Sequence, residues 1–234
     1  MTDISEIILA VLLLIDLALV TSGRMLQCIR LAALHGVLIG IFPLVLWDFF
    51  NDGFPHLPVL LTAAAGLLIK GLLLPRLLRH AMDHAKVKRE LEPWIGYAES
   101  LGIVLLVSGA VFYLWMRYAE TPAGAPMLAA PVAFITMFTG LFITISRRKA
   151  LTQVVGFLIF ENGITAFGMG MGVECGLLVE LGIMLDVLVL VFVMGIAMFH
   201  INREFAHIDS DRLNHLNESE EDDSYAAGES EVKA

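Results

Sequence analysis

KALTQVVGFLIFENGITAFGMGMG, residues 149–172, is a long apolar helical run with a carboxylate, Glu161, and an amide, Asn162, near its centre. A charged side chain at bilayer depth costs about 2.5–3.5 kcal/mol on insertion scales, so such residues sit against protein or water and mark function more often than packing. Phe157 and Thr165, four residues to either side, share the face of Glu161 on a helix, and Gly168 extends that face. Small and polar neighbours admit a second helix or a file of water. The stretch therefore predicts a membrane helix carrying an ion pathway, most simply for protons.

The rest of the chain agrees with that reading. Of 234 residues, 58% are hydrophobic and 17% charged, and the mean hydropathy is +0.79. Several uninterrupted apolar runs approach 20 residues, the signature of an all-α polytopic membrane protein. The short alternating segments of a transmembrane β-barrel are missing. The spacing predicts about seven spans, near 4–22, 28–47, 57–75, 96–117, 128–146, 149–172 and 177–199. The first follows an acidic MTDISE with no basic leader, so it reads as a span and not a signal peptide.

Orientation follows from the basic residues. Arg24, Arg30, Arg76, Arg79, Lys86, Lys88, Arg89, Arg147, Arg148, Lys149, Arg203, Arg212 and Lys233 fall on one side, and Arg117 on the other. The positive-inside rule then places the N-terminus outside and the C-terminus in the cytoplasm. Five segments result: an N-terminal three-helix part (1–75), a basic amphipathic interfacial helix or loop (76–95), a fourth helix with its outer loop (96–127), a final three-helix part (128–203) and an acidic, disordered tail (204–234). That tail holds much of the acid behind the net charge of −9.

Four further ionisable residues lie inside predicted spans: Asp16, His35, Lys70 and Asp186. With Glu161 they supply the acid, base and cation types of a buried proton relay. Each also has a structural reading. Glu161 pairs with a cation across a helix interface, Lys70 snorkels to the membrane surface, and His35 is a hydrogen-bonded packing residue. His80 and His84, spaced i and i+4 beside Asp83, are two metal ligands in want of a third. GMGMG at 168–172 follows no strand and opens no helix, so it is no phosphate loop. Cys28 and Cys175 are predicted at opposite faces, against a disulfide and too few for a cluster. Gln27, His35 and Gly36 are echoed 126 residues on by Gln153, Glu161 and Asn162, as in a transporter repeat.

Residues 139–168, TGLFITISRRKALTQVVGFLIFENGITAFG, resemble the first loop and second helix of the NuoK subunit of respiratory complex I and its MrpC relatives. Arg147, Arg148 and Lys149 match the basic turn, and Glu161 matches the central glutamate. With VELGIMLDVLVLVFVMGIAMF (179–199), the whole chain resembles the HyfE family, component E of hydrogenase-4 and related formate hydrogenlyase complexes. NuoK's second glutamate aligns with Val191, and Asp186, about a turn and a half earlier, stands in for it.

The resemblance implies a non-redox membrane-arm subunit of the cytoplasmic (inner) membrane of a bacterium or archaeon, beside antiporter-like subunits and a membrane anchor. Iron-sulfur clusters and a nickel-iron centre would belong to those partners. The chain itself shows no cofactor, metal, nucleotide or nucleic-acid motif and no nucleophile constellation, so it is not expected to be an enzyme alone. Two alternatives stand beside this: a subunit of an Mrp-type cation/proton antiporter, and a structural scaffold joining membrane subunits.

Overall fold

Runs of about 20 apolar residues bounded by polar turns satisfy their backbone hydrogen bonds internally only as helices. The computed structural model of the protein, which describes residues 2–47, 54–84, 94–118, 126–147, 149–170 and 195, is helical accordingly. The elements are α1 (Thr2–Thr21), α2 (Met25–Leu46), α3 (Leu57–Gly66), a π-helical turn (Leu67–Leu73), α4 (Leu74–His84), α5 (Tyr97–Tyr118), α6 (Ala129–Ser146) and α7 (Ala150–Gly170). Among the described residues six helical stretches are long and apolar enough to cross a bilayer. They coincide with the first six expected spans, whereas the seventh expected span and the acidic tail lie outside the described residues.

The third span differs from its expected outline. The helix does not end at residue 75 but runs on through α4 to His84, with Leu74, Leu78, Ala81 and Met82 buried against Met25, Cys28 and Ile29 of α2. Of the segment expected at the interface, 76–95, the described residues 76–84 thus continue the helix of the third span. Within it the Leu74 amide reaches back five residues to the Ile69 carbonyl. Pro75 comes next and has no amide hydrogen to continue the ladder, a setting in which a widened turn is accommodated at small cost.

Glycines set how closely the helices approach. A side chain at Gly36 would meet the Lys70 carbonyl oxygen at 2.8 Å, and one at Gly40 would meet the Leu67 nitrogen at 2.8 Å. Numbers fall along one helix as they rise along the other, so α2 and the third span are antiparallel. In the α6–α7 hairpin Gly140 faces Phe160, Gly163 faces Met137 and Gly170 faces Ala129, again antiparallel. By contrast Met25 meets Thr152 and His35 meets Asn162, both 127 residues apart, so α2 and α7 run parallel. Leu128 on Glu6, Thr136 on Asp16 and Arg147 on Val20 make α1 and α6 parallel too. The echo noted in the sequence thus joins helices that face each other.

These directions gather Ser22–Arg24, the start of α5 and Ser146–Lys149 at one end of the bundle. The start of α1, the end of α2 and Met127–Leu128 gather at the other. Arg24, Arg30, Arg76, Arg79, Arg147 and Lys149 belong to the first end and Arg117 to the second. At the first end the backbone amide of Trp94 donates to the Ser146 carbonyl at 3.0 Å. α7 is buried around most of its circumference and forms the centre. α5 is peripheral: Ser100, Val104 and Ser108 face the bundle, while Leu105, Leu106, Tyr113 and Leu114 are exposed, as on a lipid-facing helix.

Candidate functional site

Four elements deliver one ionisable side chain each to the bundle interior: Asp16 from α1, His35 from α2, Lys70 from the π turn and Glu161 from α7. All four are buried, and none of Asp16, His35 and Glu161 exposes more than 1% of its surface. The periodicity of each helix explains why they face inward. On α1, for example, Asp16 continues a stripe of Ser5, Leu9, Leu12, Leu19 and Val20 at spacings of three and four.

The groups form two pairs. Lys70 Nζ donates to Glu161 Oε1 at 2.8 Å and lies 3.5 Å from the Thr165 hydroxyl, which itself donates to the Glu161 carbonyl at 3.0 Å. Lys70 therefore does not snorkel; its stem crosses to α7. The widened turn also brings its backbone against Gly36, where any side chain would collide. Such turns collect at functional sites because they redirect a side chain without breaking the helix.

In the second pair His35 Nε2 is 3.5 Å from Asp16 Oδ1, within ion-pair reach but outside hydrogen-bond geometry. The Thr136 hydroxyl donates to Asp16 Oδ2 at 2.6 Å, and the Asn162 amide nitrogen lies 3.1 Å from His35 Nδ1. Thr136, Asp16, His35 and Asn162 thus form a line across α6, α1, α2 and α7. Asn162 adjoins Glu161, about 100° around α7, so the line ends one residue from the second pair. Among the described residues, Asp16 Oδ1, His35 Nε2, Glu161 Oε2 and Asn162 Oδ1 are buried without a hydrogen-bonding protein partner. Buried polar atoms of this kind are ordinarily satisfied by internal water.

A third polar feature closes the basic end. Arg147 is only 2% exposed. Its Nη2 donates to the Val20 carbonyl at 2.7 Å, its guanidinium lies 4.9 Å from the centre of the Tyr97 ring, and its own carbonyl accepts from Gln153 Nε2 at 3.0 Å. A cation on the last carbonyls of α1 complements the negative end of that helix.

The chain is 34% identical over 191 residues, 80% of its own length and 84% of the relative's, to a protein of Mycobacterium tuberculosis (strain ATCC 25618 / H37Rv) described as uncharacterized protein Rv0085. The chain belongs to that family. No family model matches it, and no solved structure does.

The sequence reading named Asp16, His35, Lys70 and Glu161, and the structure brings these four together. Asp186 lies outside the described residues. Thr136 was missed, since a threonine in an apolar helix is too common to signal anything, and Arg147 was read only as part of the basic turn before α7. His80 is exposed on α4 and the side chain of His84 lies outside the described residues. No group of three His, Cys, Asp or Glu among the described residues is placed to hold a metal. Cys28 is a buried free thiol, and Cys175 lies outside the described residues.

Proposed function

We propose that this chain is a non-redox membrane-arm subunit of a respiratory-type energy-converting complex, of the hydrogenase-4 component E kind, and that Glu161 takes up and releases protons against Lys70. The observation that carries the reading is the Lys70–Glu161 pair, 2.8 Å apart inside a bundle of apolar helices, with Asp16 and His35 in the same interior. Removing two charges from water costs several kcal/mol per ion, and a hydrophobic pair of similar volume often stabilises as well or better. Retention of two titratable pairs at membrane depth is what a proton path requires. The resemblance of residues 139–168 to NuoK and MrpC supports the same role.

On this reading residues 177–199 form a seventh span that brings Asp186 to the relay. The N-terminus lies outside and the acidic tail in the cytoplasm. Partner subunits, antiporter-like proteins and a membrane anchor, carry the redox centres. The test is Glu161→Gln in the assembled complex. Proton translocation is expected to fall about a hundredfold or more while the subunits still copurify, because the amide cannot exchange a proton in place of the carboxylate. Full coupling in that variant would reduce the subunit to a scaffold. Activity that depends on sodium would instead favour an Mrp-type antiporter.

A further inference from the structure

Asn162 meets His35 through its amide nitrogen, and an amide nitrogen can only donate. His35 Nδ1 must then accept, which puts the single proton of a neutral imidazole on Nε2, the nitrogen 3.5 Å from Asp16 Oδ1. The carboxylate makes the opposite arrangement unfavourable. With Asn162 turned over, Nδ1 would carry the proton and a bare Nε2 would face an anionic oxygen. Among the described residues no other donor faces that gap, since the Thr136 hydroxyl is committed to Asp16 Oδ2.

We propose that Asn162 is a positioning residue that holds neutral His35 as the Nε2–H tautomer aimed at Asp16, and that its amide turns over when His35 takes a second proton. The added proton, delivered by water, can bond only at Nδ1, where the lone pair now accepts from Asn162. The new Nδ1–H needs an acceptor, and Asn162 Oδ1, buried without a hydrogen-bonding partner among the described residues, becomes one by a half-turn of the amide. One N–H bond forms as an O–H bond of a hydronium ion breaks and leaves water, none breaks in the ring, and the resulting imidazolium lies against the Asp16 carboxylate. Among the described residues, the ionisable groups around this site are Asp16 from α1 and, one residue away on α7, Glu161 with Lys70 of the π turn; α6 contributes the neutral Thr136. The amide thus reports the proton on His35 to the helix that carries Glu161. A part in conduction rests on the proton-pathway reading above, whereas the tautomer does not.

The full chain with ¹⁵N-labelled histidine and asparagine, reconstituted in lipid nanodiscs, tests this by nuclear magnetic resonance, with His35 assigned by the signals lost in His35→Gln. The wild type is expected to show protonated Nε2 and bare Nδ1. On acidification the Asn162 side-chain nitrogen is expected to shift together with His35 Nδ1. In Asn162→Asp an acceptor replaces the donor, and Nδ1 should carry a proton. A wild-type signal with bare Nε2, or an Asn162 nitrogen that stays fixed while His35 titrates, overturns the proposal even if Asn162→Asp does not fold. Loss of translocation in Glu161→Gln with the opposite tautomer would sink this inference alone. The expected tautomer with full coupling in Glu161→Gln would sink the proposed function alone.

Discussion

At the scale of single residues, the Lys70–Glu161 contact makes a sharp energetic statement. Each charge is tolerated at depth because the other neutralises it. Lys70→Ala or Glu161→Ala leaves one buried charge uncompensated and is expected to cost about 3–5 kcal/mol, while Lys70→Met combined with Glu161→Met should restore most of that loss. Unfolding in mixed micelles measures the cycle, and single variants as stable as the wild type would mean that water, not the partner, solvates each charge. These residues were legible in the sequence because an ionisable group in an apolar run has few explanations. Thr136 was not, because a threonine satisfies itself within a helix and gives no sign of the carboxylate it faces. Arg147 was hidden for the opposite reason: it stands in a basic run, Arg147–Arg148–Lys149, whose composition reads as solvated although this member is buried.

Among the described elements, the α6–α7 hairpin is the tightest contact, and glycine is what permits it. A Cβ on Gly140 would collide with the Phe160 backbone and stand 2.6 Å from the Gly156 carbonyl oxygen, while one on Gly156 would meet the Thr144 nitrogen at 2.7 Å. Backbone cannot yield as a side chain does, so Gly140→Ala and Gly156→Ala should each cost about 1–3 kcal/mol. Gly102 and Gly109 on α5 have nothing within 4 Å, and alanine there should change stability by no more than about 1 kcal/mol. Thermal denaturation of the four variants separates the two classes; equal losses would remove the close helix approach as the explanation. The spans themselves were legible from length and hydropathy, since a bilayer imposes both. The widened turn at Leu67–Leu73 was not. Its cause is the meeting of Pro75, Gly71 and the close approach of Gly36, and the last of these exists only once α2 and the third span are packed.

For the molecule as a whole, the packing decides which ends lie together, and the charges carry the proposal for which side each faces. Parallel α2 and α7, parallel α1 and α6, and the antiparallel hairpins place Arg24, Arg147 and Lys149 at one end and Met127 and Leu128 at the other. The alternation of spans was already readable from the loops. That the first and last described hairpins face each other across α2 and α7 was only hinted at by the echo between His35 and Glu161. Helix partners depend on surface shape along whole faces and not on any short motif. The proposed cytoplasmic placement of the first end rests on its excess of arginine and lysine, because cationic loops near span ends are retained in the cytoplasm. In a background carrying Cys28→Ala and Cys175→Ala, Arg24→Cys is therefore expected to react with a membrane-impermeant thiol reagent only after cells are opened. Met127→Cys, 54% exposed at the opposite end, should react in intact cells. The reverse pattern would invert the bundle and put the acidic tail outside. Labelling of both positions from one side would contradict the packing itself, since no rigid arrangement of these helices brings the two ends to the same face.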